Sequence, residues 1–308
     1  METPVPPLAE LLDGFRFVAI PLRVRFRGIA VREVGIVRGP AGWGEFGPFL
    51  EYGPAESARW LASAIESAYA GWPTPVRDLV PVNATVPAVA AREAAGIMAR
   101  FAGCTTAKVK VAERGQSLPD DLDRVAAVRD VLGSAGRIRV DANGGWGVDE
   151  AVDAIGELAV YGLEYAEQPC ATVDELRELR MALARKGIDV LIAADESIRK
   201  GGDPLEVARR EAADLVVVKV APLGGVRAAL ALVAECGLPA VVSSALDTSV
   251  GIAAGVALAA ALPDLRYACG LGTVALLDGD VAVSLVPERG VLRHAGAVTL
   301  AVDDDALG

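Results

Sequence analysis

Histidine is almost missing from this chain: His294, near the C-terminus, stands alone among 308 residues. That argues against a Ser-His-Asp triad, a His-Asp base and a histidine-rich metal site. Cysteine is sparse as well. Cys104, Cys170, Cys236 and Cys269 lie far apart with no C-x-x-C pair, which speaks against a disulfide framework or a zinc site. They read as free thiols in a reducing compartment, so a cytoplasmic location is expected. Aromatics are only 5% of the residues, so Ala, Val and Leu must fill the core that a 53% apolar composition provides. There is no basic block. With 30 Lys+Arg against 41 Asp+Glu and a formal net charge of −11, binding to nucleic acid or to an anionic membrane is not expected. The longest strongly apolar run, VGIAAGVALAAALP, is too short to span a bilayer and reads as a buried helix. The opening METPVPPLAELLDG lacks a basic region followed by an apolar core, so no signal peptide is expected. No G-x-G-x-x-G or Walker loop opens an early helix, which weighs against an open doubly wound sheet.

What is present falls into two styles. Residues 15–52 hold alternating, strand-like segments, FRFVAIPLRVRF and IAVREVGIVRG, before the helical ARWLASAIESAYAGW. That is the pattern of a small α+β unit. From about residue 80, short β-branched runs alternate with helices. The strand candidates are VNATVPA, AKVKV, RIRVDAN, EYAEQP, VLIAADES, LVVVKVAP, AVVSSAL and YACGLGT. Strands alternating with helices imply parallel, right-handed β-α units, and eight of them suggest a TIM-like barrel. Length agrees, since one barrel with a smaller attached unit fits 308 residues. The Gly/Pro-punctuated tail is expected to return to the N-terminal unit. The expected division is an α+β cap over residues 1–80, a barrel over 81–275 and a tail over 276–308.

The expected strand ends carry Lys110, Asp141, Glu167, Asp195, Lys219, and then Ser243 with Ser244, at intervals of 24 to 31 residues. Each interval is one β-α unit, so these side chains should gather at the C-terminal end of the barrel, where barrel active sites lie. Asp141, Glu167 and Asp195 would repel one another unless a cation binds or some are protonated. Oxygen ligands without His or Cys favour Mg²⁺, or Mn²⁺ in its place. Taken singly, each acid could instead be a helix N-cap or a solvated loop residue. Lys108 and Lys110 sit at i and i+2 of one strand and so share a face. To act as a base Lys110 must be neutral, and desolvation, the neighbouring Lys108 and a divalent cation would all lower its pKa. Arg139 shares strand parity with Asp141 and Asn143; a paired structural charge is its default role.

In order and at strand spacing, the segments KVK, VDANGGW, EQP, ADES, VVKVAPLGG and SSALDTSVG resemble the enolase superfamily, and GWGEFGPF resembles its capping segment. The resemblance implies a modified (β/α)₇β barrel with an N-terminal α+β capping domain that the C-terminal tail completes. It also implies proton abstraction beside a carboxylate, with the enediolate charge stabilised on Mg²⁺. Carried over by motif, Asp141, Glu167 and Asp195 are the metal ligands, Lys110 is the base and Lys219 the opposing lysine. Lys108, Asn143, Arg139, Glu196, Ser243 and Ser244 would support the site or touch substrate. Lysines on both sides and no His-Asp pair resemble the muconate-cycloisomerase-like subgroup. Its competing activities include dehydration to o-succinylbenzoate, dipeptide epimerisation, N-acylamino acid racemisation and muconate cycloisomerisation. The compact chain, the short turn in RFRGIAV and the SSALDTSVG segment look most like the first. A small-molecule carboxylate is the expected partner.

Overall fold

The computed structural model describes residues 5–200 and 202–307. After a short helix α1 (Leu8–Gly14) the chain builds a three-stranded antiparallel sheet. Its strands are β1 (Phe15–Phe26), β2 (Ile29–Gly39) and β3 (Gly42–Phe46), in that order. β1 and β2 turn at Arg27 and Gly28, both with positive φ (49° and 81°), and Phe26 pairs with Ile29 directly across the turn. Positive φ at both central residues gives the twist that a two-residue hairpin needs. Helix α2 (Pro54–Ile65) follows, with Pro54 at its first position. It runs on into a π-helical turn, Glu66–Ala70.

The barrel strands come next. β4 (Leu79–Pro81) precedes them. β5 (Ala84–Val86), β6 (Thr106–Lys110), β7 (Arg137–Asp141), β8 (Leu163–Glu167), β9 (Leu191–Ala194), β10 (Leu215–Lys219) and β11 (Ala240–Ser243) form one parallel sheet in sequence order. The helices between and beyond them are α3 (Ala94–Met98), α4 (Leu118–Leu132), α5 (Val148–Leu158), α6 (Val173–Lys186), α7 (Glu196–Arg199), α8 (Glu206–Arg209), α9 (Val220–Leu223), α10 (Val226–Cys236) and α11 (Ser249–Ala261). Both faces of the parallel sheet are covered, so its strands read as continuous apolar runs such as LVVV rather than alternating ones. α11, the VGIAAGVALAAA run, is buried nearly all round. Removing Ile252, Val256 and Leu258 from water contributes about 1.5–3 kcal/mol each. Among the described residues, no helix is long and apolar enough to cross a membrane.

The eighth strand, expected at YACGLGT, is reduced to single bridges. Cys269 bridges Val82 and Gly270 bridges Ser243, so the curled sheet closes on itself through residues 269 and 270. Four backbone hydrogen bonds hold this seam: Cys269 to Pro81, Asn83 to Cys269, Gly270 to Val242 and Ser244 to Gly270. The chain passes too close for a side chain there, since a Cβ on Gly270 would lie 2.5 Å from Ser243 Oγ. Glycine of this kind weakens a strand while allowing the approach. The tail meets both units. β12 (Val291–Arg293) pairs with β4, Leu277 bridges Leu22 of β1, and Arg23 holds the Leu277 carbonyl at 2.9 Å. The short helix α12 (His294–Val298) follows β12.

Arg139 lies in the barrel interior below the strand ends, fully buried. Its Nε bonds Glu164 at 2.6 Å, its Nη1 bonds the Ala268 carbonyl and the Asn83 side chain, and its guanidinium stacks 4.7 Å from the Tyr165 ring centroid. It is a paired structural charge in a floor of Tyr165, Tyr267 and aliphatic side chains. No hydrogen bond or ion pair joins it to the carboxylates at the strand ends among the described residues.

Candidate active site

Register in the parallel sheet sets the site. Lys110 pairs with Asp141, Asp141 with Glu167, and Lys219 with Ser243. With Asp195 just past β9, these residues arrive at one end of the barrel with their side chains buried. Lys110 Nζ donates to Asp141 Oδ2 at 2.5 Å and to Asn143 Oδ1 at 2.7 Å. Lys108 Nζ donates to Glu167 Oε1 at 2.7 Å and lies 3.2 Å from Asp141 Oδ2. Lys219 Nζ donates to Asp195 Oδ2 at 2.6 Å. Asn143, held at φ 49°, also donates to Glu196 Oε1 at 3.2 Å.

The two lysines of β6 titrate in opposite directions. Burial lowers both, but Glu167 and Asp141 outweigh it at Lys108 and hold that ammonium well above the usual lysine range. At Lys110 burial wins over Asp141, and Lys108 and Arg27 add repulsion, so its pKa falls to about 8. Burial pushes Asp141 up, yet Lys110 and Lys108 overcome it and hold the carboxyl well below the usual range. Asp195 behaves likewise, with Lys219 and Arg199 outweighing burial. Glu167 is raised to about 7, by burial first and then by the charge of Asp141.

The three carboxylates pair with ammonium groups. Among the described residues, no three acidic, histidine or cysteine side chains converge closely enough to enclose an ion. The acids turn to the lysines instead: Glu167 to Lys108, Asp141 to Lys110 and Lys108 together, and Asp195 to Lys219. Even so, Glu167 Oε2 and Glu196 Oε2 are buried without a hydrogen-bond partner. A buried carboxylate oxygen left in that state is costly unless a cation or donor meets it. The donor set is oxygen only and anionic, so its chemistry fits a hard divalent cation.

Above these groups lies a cleft of about 800 Å³, counting its open mouth. Lys108, Lys110, Asp141, Lys219, Ser243 and Ser244 form its barrel side. Glu167, Asp195, Asn143 and Glu196 stand behind that surface. The cap supplies Phe26, Arg27, Ile29, Phe49, Glu51, Tyr52 and Trp60. The sequence pattern did not single these out. The local signals were the GWGEFGPF segment, which ends at Phe49, and the short turn, which sends Arg27 to within 3.5 Å of Glu196 Oε1 and sets the Phe26 ring 5.2 Å from Lys110 Nζ. Thr85 also lines the cleft, with its hydroxyl oxygen buried and unpartnered. Behind the acids, Arg199 donates to Asp195, Glu196 and the Tyr52 hydroxyl. Gln168, at φ 38°, holds the amides of Asp195 and Ser197. Ser244 is occupied with the Gly270 carbonyl and Thr273, while Ser243 faces the cleft.

Comparison with known proteins places this geometry. The "Enolase C-terminal domain-like" family model matches residues 90–297, and "Enolase N-terminal domain-like" matches residues 17–68. The "o-succinylbenzoate synthase" of Thermobifida fusca (strain YX) is 66% identical over 278 residues, 90% of this chain and 86% of its own. That of Mycolicibacterium smegmatis (strain ATCC 700084 / mc(2)155) is 58% identical over 99% of this chain and 92% of its own. Among solved structures, the fold is shared with the muconate lactonizing enzyme from Pseudomonas fluorescens complexed with muconolactone. Its TM-score is 0.80 at 22% identity, over 95% of this chain and 96% of that one. The L-Ala-D/L-Glu epimerase from Bacillus subtilis gives a TM-score of 0.75 at 24% identity, over 91% and 94%.

Proposed function

The chain belongs to the enolase superfamily, and we propose that it is an o-succinylbenzoate synthase. The reaction is a carbon–oxygen lyase step of menaquinone biosynthesis, the dehydration of 2-succinyl-6-hydroxy-2,4-cyclohexadiene-1-carboxylate. The observation that carries the choice of reaction is the 58–66% identity to o-succinylbenzoate synthases over most of the chain. Lys110 and Lys219 in one cleft, with Asp141 lining it and Glu167 and Asp195 behind, carry the proton chemistry of the subgroup.

In this reading Asp141, Glu167 and Asp195, once released by the lysines that now hold them, would hold a divalent cation, Mg²⁺ by the preference of oxygen donors, with Mn²⁺ as a substitute. Such a cation would neutralise the charge that moves onto the substrate carboxylate as its neighbouring proton leaves. Neutral Lys110 Nζ takes the ring proton beside that carboxylate. The C–H electron pair enters the ring, the C–O bond to the ring hydroxyl breaks, and the proton on Lys110 leaves with that hydroxyl as water on the same face. Lys219 moves no proton, and its ammonium stabilises the forming aromatic ring. Lys108 stays charged and keeps Lys110 easy to deprotonate. Asn143 and Glu196 orient Lys110 and the acids. Ser243 and Arg27, on opposite walls of the cleft, suit the succinyl end, with Arg27 as the cation for its carboxylate. Residues 1–80, 81–275 and 276–308 serve as cap, barrel and tail.

The test is a dehydration assay on purified protein with and without Mg²⁺. Efficient metal-dependent turnover supports the reading. Efficient epimerisation of a dipeptide such as Ala-Glu without dehydration would transfer the chain to another activity of the subgroup.

A further inference from the structure

Two buried glutamates of the cap reach the barrel in the same manner. Glu45, on β3, accepts at Oε2 from the amides of Thr248 (3.0 Å) and Gly251 (3.1 Å) and from the Thr248 hydroxyl (2.5 Å). Glu66, in the π turn after α2, accepts from the amide of Val226 (2.5 Å) and from the amide and guanidinium of Arg227 (3.2 and 2.9 Å). Each thereby satisfies first-turn amides of a barrel helix, α11 for Glu45 and α10 for Glu66, groups that a helix leaves without internal partners. Each also faces a glycine that makes the room. A Cβ on Gly251 would lie 3.0 Å from Glu45 Oε2, and one on Gly225 would lie 2.2 Å from Glu66 Oε2.

Their surroundings differ. Beside Glu45 stands Arg32, only 3% exposed. Its Nε donates to the Leu246 carbonyl at 3.2 Å, its Nη2 donates to the Gly47 carbonyl, and its guanidinium lies 4.7 Å from the Phe49 ring centroid. Asp247, a half-buried acid nearby, holds the amide of Ala245 at 3.1 Å. Ala245, Leu246 and Phe49 all line the cleft, whereas Val226 and Arg227, the partners of Glu66, do not. Burial and then Asp247 raise Glu45 to about 8, against the pull of Arg32 and of its own donors, and in either protonation state its three donors find an oxygen to meet. An acceptor oxygen is what the position needs.

We propose that Glu45 is a positioning residue that sets the cleft wall formed by Ala245, Leu246 and Phe49, while Glu66 fastens the cap without reaching the site. Only the kinetic arm of the test rests on the functional reading above. Glu45→Met is expected to raise KM for dehydration about tenfold while kcat changes by less than about threefold. It should also speed hydrogen–deuterium exchange across residues 244–251 in the ligand-free protein. Glu45→Gln, whose amide oxygen can accept the same three bonds, should restore both. Glu66→Met should lower the melting temperature and leave both readouts at wild-type values. Wild-type KM and exchange in Glu45→Met overturn the proposal, as does an equal KM rise in Glu66→Met. If Glu45→Met does not fold, Thr248→Val removes the hydroxyl that Glu45 holds and should shift both readouts less, in the same direction. Unchanged exchange in that variant also overturns the proposal. A wild-type protein that fails to dehydrate the substrate sinks the functional reading and leaves the exchange arm intact.

Discussion

Lys108 and Lys110 project from the same face of one strand and are both buried, yet Lys108 is held well above the usual lysine range while Lys110 falls to about 8. The difference is in their partners. Lys108 lies within 3.2 Å of two acids, Glu167 and Asp141, while Lys110 has one acid and shares it with Lys108.

A base must be deprotonated to act, so activity should rise with pH. With Lys110 at about 8, kcat/KM should climb about tenfold per pH unit below that value and level off above it. Lys108 repels the Lys110 proton, so Lys108→Met should move this limb to higher pH. A profile flat from about pH 6 to 9 would remove Lys110 from the role of base.

Lys110→Ala should lower kcat by about 10²–10⁴-fold, with the fold retained by circular dichroism. Lys219→Met should also lower kcat, whereas Lys219→Arg, which keeps a cation at that position, should recover part of it. Full activity in Lys110→Ala contradicts the assignment.

Glu167→Gln keeps the shape and removes a charge. Calorimetric titration with Mg²⁺ should show affinity reduced by at least about tenfold. Unaltered affinity would mean that Glu167 is not a ligand.

Arg27→Met should raise KM about tenfold with kcat little changed, the signature of lost ground-state binding. A parallel fall in kcat with constant KM would place Arg27 in the chemistry instead.

Arg139→Met removes the buried guanidinium that Glu164, the Asn83 side chain and the Ala268 carbonyl share, while Glu164 keeps Arg137 at 2.8 Å. Leaving buried acceptors without a donor costs about 1–3 kcal/mol, so urea unfolding should shift to lower concentration. Mg²⁺ affinity of the folded fraction should not change, and a change would tie Arg139 to the strand-end acids.

Much of this was legible in the sequence because a barrel repeats. Lys110, Asp141, Glu167, Asp195 and Lys219 recur about once per β-α unit, at 24 to 31 residues, with one strand parity, and the parallel register turns that phase into proximity. The eighth strand was harder. YACGLGT has strand-like composition, but a glycine at the seam reduces it to bridges, and only the three-dimensional approach of Ser243 shows why. Cap contacts were out of reach for another reason. Tyr52 meets Arg199 across 147 residues and Glu45 meets Thr248 across 203, and no local period encodes such pairs. The lysine–carboxylate pairing was likewise not apparent from spacing, because it depends on how ammonium groups share the acids.

The turn has two residues, and just behind it the four residues Leu22 to Arg25 of β1 face the single Ala30 of β2, so Phe26 and Arg27 stand at the end of a bulged hairpin. The reach of that hairpin sets the height of the cleft above the strand ends. Lengthening the turn by a few residues, with the barrel untouched, is the shortest route by which this scaffold could come to admit a larger substrate.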